Sequence, residues 1–184
     1  MIVVIVLRAL IGFVLLLGVV IYNQLVQLQT MVAEGWSGID VQLKKRANLI
    51  PNLVDTVKGY MTHERDLLEK VTDLRARSTR TADPAEKGKL EGALTRSLAQ
   101  IFAVAEQYPD LKANQNFLDL QGHLAEIEND IEMARRYYNG TARNLNIKVE
   151  SFPSNIIAGM FGFSGAEFFE IEDQKDRQIP QVKF

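Results

Sequence analysis

Residues 2 to 22 read IVVIVLRALIGFVLLLGVVIY, apolar throughout except for Arg8, and the chain then turns polar and stays so. A helix rising about 1.5 Å per residue needs about 20 such residues to cross the hydrocarbon core of a bilayer. The run therefore predicts a transmembrane anchor over residues 1–22. A cleaved leader would close on a small-x-small site, whereas this run leaves through Ile21-Tyr22-Asn23-Gln24 and there is no cysteine to carry a lipid. A buried core helix is the competing reading, but such helices are usually shorter or amphipathic. Arg8 costs about 2.5–3.5 kcal/mol at mid-bilayer. It lies only one to two turns from the start, so its long stem can snorkel to the nearer head groups.

Beyond the anchor, apolar positions recur at helical spacing. Leu25, Leu28, Val32, Trp36, Ile39, Leu43 and Ile50 form one stripe, and nothing breaks the helix at Tyr22-Asn23, so the anchor is expected to run on into the domain. Asn48 can cap a new helix with Pro51 in its first turn. A turn at 47–51 is thus the first expectation, and one kinked helix from the membrane to about Arg77 the alternative. The second stripe is Leu53, Val57, Tyr60, Leu67, Val71 and Leu74. Asp83-Pro84-Ala85-Glu86 is a helix start with Asp83 as N-cap and Pro84 at the first position, and Leu90, Leu94, Leu98, Ile101, Ala105 and Tyr108 follow it. Tyr108-Pro109-Asp110 ends that helix. Phe117, Leu120, Leu124, Ile127, Ile131, Ala134 and Tyr138 then step by three and four, a heptad seam expected to continue to about Val149. No stretch alternates as a strand would.

The expected fold is all-α: an N-terminal transmembrane helix continuing into an antiparallel four-helix bundle over residues 23–151. The tail, 152–184, carries Phe161, Phe163, Phe168 and Phe169. So many aromatics are expected to fold back onto the bundle as far as about residue 170, with the charged end from Glu172 fraying.

Charge narrows the function. The chain has 21 basic and 23 acidic residues; leaving out Arg8, 20 basic residues remain, a net charge of −3 outside the anchor. That balance does not suit a general nucleic-acid binder. With no Lys or Arg from 9 to 43, the positive-inside rule places the N-terminus in the cytoplasm and the domain outside, on one arginine's authority. The absence of cysteine excludes disulfides, thiolate nucleophiles and cysteine-ligated metals.

Candidate chemistry is sparse. His63-Glu64 lacks a second histidine one turn on, and His123 with Glu126 reverses the Glu-x-x-His of di-iron bundles and occurs once. No catalytic, cofactor-binding or metal-binding residues are assigned. Lys44-Lys45-Arg46 is the sharpest basic cluster, with Arg75, Arg77 and Arg80 a second. These can meet lipid head groups or an acidic partner, against the plainer reading of a solvated helix face with Asp40 blunting the field. Trp36, between Gly35 and Gly38, is a candidate contact for another helix, either a second copy or the chain's own fourth helix. Tyr137-Tyr138-Asn139 offers a ligand shelf, but Tyr138 already belongs to the seam. Asn139-Gly140-Thr141 fits a glycosylation sequon inside an expected helix.

Several blocks together carry a resemblance. They are Trp36-Ser37-x-Ile39-Asp40-Val41-Gln42-Leu43-Lys44-x-Arg46, Leu49-Ile50-Pro51-Asn52-Leu53-Val54, Val57-Lys58-Gly59-Tyr60, Ala113-Asn114-x-x-Phe117-x-x-Leu120-Gln121, Ala134-Arg135-x-x-Tyr138-Asn139 and Phe168-Phe169-Glu170. Over nearly the whole chain this resembles the bacterial LemA family. The resemblance implies an N-terminal membrane helix and a helical bundle at the bacterial inner membrane. It implies no catalytic residue and no cofactor. The family's usual topology has the short N-terminus outside, opposite to the positive-inside reading. Members bearing a lipoprotein cysteine favour a domain outside, and a magnetosome branch implies roles in organising membranes. The expected function is a non-enzymatic, membrane-tethered scaffold, with a lipid-surface sensor built on Lys44, Lys45 and Arg46 as the alternative and an enzyme or metal protein using His63 or His123 as a third. Membrane lipid, further copies of the chain and an unidentified protein are the expected partners, with no nucleic acid. Gly12 and Gly18 permit close helix packing in lipid, which favours self-association.

Overall fold

The computed structural model describes residues 1–61 and 63–170. These form an all-α chain, as expected. The helices are α1 (Ile2–Lys58), α2 (Arg65–Arg80), α3 (Pro84–Ala105), α4 (Pro109–Lys112), α5 (Gln115–Glu150) and α6 (Ser154–Phe161). They make two compact units, each with its own core: Met1–Gly38 with Ala134–Phe168, and Ile39–Met133 with Phe169 and Glu170. The fraying expected from Glu172 lies outside the described residues.

In the unit containing Ile39–Met133, the first break does not fall where the sequence places it. There is no turn at 47–51, nor one kinked helix to Arg77: α1 passes through Pro51 and ends at Lys58, and α2 opens at Arg65. Proline inside a helix leaves the carbonyl four residues earlier without its donor. Here that carbonyl belongs to Ala47, and Arg75 Nε on α2 donates to it at 2.6 Å. A tertiary hydrogen bond therefore compensates the missing helical one, and Pro51 is accommodated.

The start of α3 is as expected: Pro84 is in its first turn and Asp83 Oδ2 accepts from Glu86 N at 3.0 Å. Glu86 does not reach back to complete a capping box; its carboxylate accepts from Thr81 Oγ1 at 2.8 Å. Leu53, Val57, Val71, Leu74, Leu90, Leu94, Leu98, Ile101, Phe117 and Leu124 are buried together. Along α5 the seam has a deep and a shallow register. Phe117, Leu124, Ile131 and Tyr138 are buried, while Leu120, Ile127 and Ala134 between them are half-buried.

In the unit containing Met1–Gly38, Ile21 and Leu25 of α1 pack with Leu145 of α5 and Ala158 of α6. Ser154 Oγ donates to the Lys148 and Ser151 carbonyls at 2.6 and 2.9 Å, which answers acceptors left open at the end of α5. Gly162, at φ 74°, stops α6 in the left-handed conformation that favours glycine, and Phe163 N donates back to Ala158 O at 3.0 Å. Asn146 holds the following segment, accepting from Ala166 N at 2.7 Å and donating to Ala166 O at 3.0 Å. Tyr138 Oη donates to Glu167 O at 2.7 Å. The tail thus returns to the helices, but not with all its aromatics inside. Phe169 is buried and Phe163 half-buried, whereas Phe161 and Phe168 are exposed.

Candidate functional site

The run Lys44-Lys45-Arg46 does not form one surface. Lys44 and Lys45 are exposed, and Lys44 Nζ pairs with Asp40 Oδ2 at 2.7 Å. Asp40 Oδ1 also takes Lys87 Nζ of α3 at 3.0 Å. The Lys44 hydrogen bond, with Lys87 adding to it against the opposing effect of burial, holds the Asp40 carboxyl below its ordinary range. Arg46 points the other way and is 1% exposed. It occupies the position that the stripe Ile39, Leu43, Ile50, Leu53 lacks, three residues after Leu43 and four before Ile50.

A guanidinium in an apolar stripe must meet counter-charge. Arg46 meets two carboxylates: Nη2 pairs with Glu91 of α3 and Nη1 with Glu128 of α5. Two hydroxyls complete the cluster. Thr95 Oγ1 accepts from Arg46 Nη1 at 2.8 Å and bonds Glu128 Oε1 at 3.2 Å, and Ser78 Oγ donates to Glu91 Oε1. Glu91 is as buried as Arg46, while the Glu128 side chain is 40% exposed. A cavity of about 240 Å³ adjoins Arg46 and Glu128, walled by Thr95, Leu98, Phe102, Gln121 and Leu124. It is smaller than most small-molecule sites. Arg46 Nε and Gln42 Oε1, one turn apart on α1, are buried without a hydrogen-bond partner.

Chemically, the cluster is a cross-link. One cation ties α1 to α3 and α5, and Ser78, which donates to Glu91, is 2% exposed. Glu91, Glu128, Ser78 and Thr95 were not singled out in the sequence. The available signal was Arg46 itself, a cation at a core position. His63 and His123 are both exposed, and among the described residues no three His, Asp or Glu side chains gather as a metal site.

Trp36 is half-buried against its own chain, its ring 5.6 Å from that of Tyr138. The two glycines beside it differ. A Cβ on Gly35 would lie 3.1 Å from Tyr138 Cα, so α1 and α5 approach closely there, whereas a Cβ on Gly38 would meet nothing within 4 Å. Tyr137-Tyr138 is likewise no shelf: Tyr138 is in the core, and burial together with the nearby Glu167 charge raises its phenol's pKa. A Cβ on Gly18 would lie 3.7 Å from Ile157 of α6, whereas one on Gly12 would meet nothing within 4 Å, which leaves Gly12 as the glycine of the apolar run open to another helix.

The start of α1 presents the other candidate surface. It is long and apolar enough to cross a membrane, and none of the side chains in its most apolar window is buried. Farther along, between the end of α1 and α2, an open groove of about 840 Å³ has Val54, Met61 and Leu68 in its floor and Lys58, Arg65 and Glu69 along it.

Curated relatives match most of the chain in sequence. It is 26% identical to the protein LemA of Metamycoplasma hominis, over 82% of this chain and 69% of that one. It is 24% identical to the magnetosome protein MamQ 2 of Paramagnetospirillum magneticum, over 88% of this chain and 70% of that one. The MamQ of Magnetospirillum gryphiswaldense is 21% identical over the same shares. The LemA family model matches residues 35–184, which include Arg46, Glu91 and Glu128 but not the apolar start of α1. On that match, the chain belongs to the LemA family.

Proposed function

We propose that this protein is a membrane-anchored helical scaffold, without catalysis of its own, at the bacterial inner membrane. The observation that carries the reading is the uncovered apolar surface of residues 2–20, on a helix that continues unbroken to Lys58. An exposed apolar surface of this extent on a water-soluble protein would drive aggregation, whereas in a bilayer it is matched. Non-catalytic action is supported by how the strongest charged cluster is used: Arg46, Glu91, Glu128, Ser78 and Thr95 answer one another. Partner binding is supported by the open groove between α1 and α2, apolar at its floor and charged at its edge.

The test is fractionation of cells followed by alkaline carbonate washing and sequencing of the mature N-terminus, with proximity labelling from the domain. The protein is expected to stay with the membrane, to retain Met1 and to label a reproducible set of neighbours. Release into the soluble fraction, or a new N-terminus near residue 23, would reject the anchor.

A further inference from the structure

An uncharged segment lies against the exit of the apolar run. From Ser151 to Ala166 there is no Asp, Glu, Lys or Arg. Ten large apolar side chains are exposed among the described residues after Val26, and four of them, Phe152, Ile156, Met160 and Phe161, fall within this segment. Its inner stripe does the packing: Ser154 and Ala158 are buried and Ile157 is half-buried, facing Gly18. The outer stripe is apolar too, which a helix facing water does not need.

The position of the segment says what covers it. Tyr22, at the end of the apolar run, stacks edge-on against Phe161 and Phe163, with ring centres 4.8 and 5.5 Å away. The Gly18 contact lies about one turn inside the run. A cavity of about 490 Å³ beside them is lined by Leu17, Val20 and Ile21 of α1, by Phe152 and Pro153, and by Lys148 as its one charged residue. A tyrosine and a lysine at the end of an apolar span, with apolar side chains on the bilayer side, is the arrangement that suits the head-group boundary.

We propose that Phe152 and α6 form a second membrane contact, a short helix set in the head-group layer beside the anchor with Phe152, Ile156, Met160 and Phe161 in lipid. This rests on the reading of residues 2–22 as the anchor. The occupant is the bilayer rather than a protein because α6 packs on the exit of the anchor, with Ile157 against Gly18 and Phe161 against Tyr22, so its exposed side chains adjoin the uncovered surface of the anchor itself. The chain thereby holds the membrane at two places, with the junction between α5 and α6 just inside the head-group boundary, beside Leu17, Val20 and Ile21. Lys148 lines the same cavity, and its long stem lets the ammonium reach the phosphates.

The chain has no cysteine, so single cysteines report one place each. Leu10→Cys marks the anchor, Met160→Cys marks α6 and Met133→Cys is the control; these positions are 58%, 72% and 54% exposed, so none disturbs a core. Each full-length variant is labelled with an environment-sensitive fluorophore and reconstituted into phosphatidylcholine–phosphatidylglycerol vesicles with and without nitroxide-bearing lipid. The expected result is quenching by that lipid at Leu10 and Met160 and none at Met133. If the Met160 label behaves like the Met133 label while the Leu10 label is quenched, the proposal is overturned and the anchor stands. If the Leu10 label also escapes quenching, both fall. A Met160 label shielded from aqueous iodide yet untouched by nitroxide lipid would mean that protein covers α6, which also overturns the proposal.

Discussion

Arg46 shows how much one residue's surroundings decide. Removing one member of a buried ion pair strands the other without compensation and costs about 3–5 kcal/mol. Arg46→Met is therefore expected to lower the unfolding free energy of the detergent-solubilised protein by about that much, through the stranded Glu91. Lys44→Met, which touches only the exposed end of the Asp40 pair, is expected to change it by less than about 1 kcal/mol. Chemical denaturation of both variants checks the contrast, and equal losses would mean that Arg46 is no cross-link. Adding Glu91→Met to Arg46→Met should restore part of the loss, since the apolar replacement leaves no buried charge at that position. Asp40 supplies a pH dependence. Its folded pKa lies below the ordinary 3.8, so its pairs with Lys44 and Lys87 contribute stability above the unfolded pKa. That contribution is lost as pH falls through the lowered folded value. Asp40→Asn is accordingly expected to be less stable than the parent at neutral pH and to converge with it in acid below 3.8, read from denaturation midpoints in the two conditions.

At the scale of elements, the helices obey their stripes and the glycines separate by neighbour. Leu124 and Ile131 lie in the deep register of α5, at 3% and 1% exposure. Either change to Ala is expected to cost about 2–5 kcal/mol, the sum of lost transfer energy and the cavity left behind. His63→Ala, at an exposed bend, should be nearly silent by the same melt. A Cβ on Gly88 would collide with the backbone carbonyl of Glu170, which has no flexible end to swing away. Gly88→Ala should therefore cost about 1–3 kcal/mol, as overpacking does. Gly38→Ala meets open space in mid-helix and should instead stabilise by up to about 1 kcal/mol. Thermal unfolding of the two variants should move in opposite directions. The continuation of α1 through Pro51 belongs to this scale as well: the proline was legible, but the Arg75 side chain that answers Ala47 comes from 28 residues away.

For the molecule as a whole, the apolar start of α1 and the two cores are separable in what they do. Residues 1–16 are exposed throughout and belong to neither core. A chain beginning at Leu17 is expected to keep the helical content and melting temperature of the parent's helical domain and to lose its retention in carbonate-washed membranes. Circular dichroism and fractionation of the same preparation test the two halves of that statement. A lowered melting temperature would mean that residues 1–16 support a core after all.

Much of this architecture follows from local rules that a single sequence carries. The apolar run, the stripes at 3.6-residue spacing and the Asp83-Pro84 start depend only on residues within a few turns of one another, so the long apolar start of α1, the all-α class, α3 and the seam of α5 were all readable. The resemblance that named the family rested on the same kind of local blocks. What tertiary structure alone decided are the pairings between distant residues. Arg46 finds Glu91 at 45 residues and Glu128 at 82, which turned an apparent basic patch into a core cross-link. Tyr138 takes Trp36 for a neighbour, and α6 returns to Gly18 and Tyr22. Periodicity marks which face of a helix is buried but carries no address for the partner, because any apolar face satisfies another to first order. The address is set by close packing and by the need of each buried charge for a counter-charge, and both act only once the helices have met.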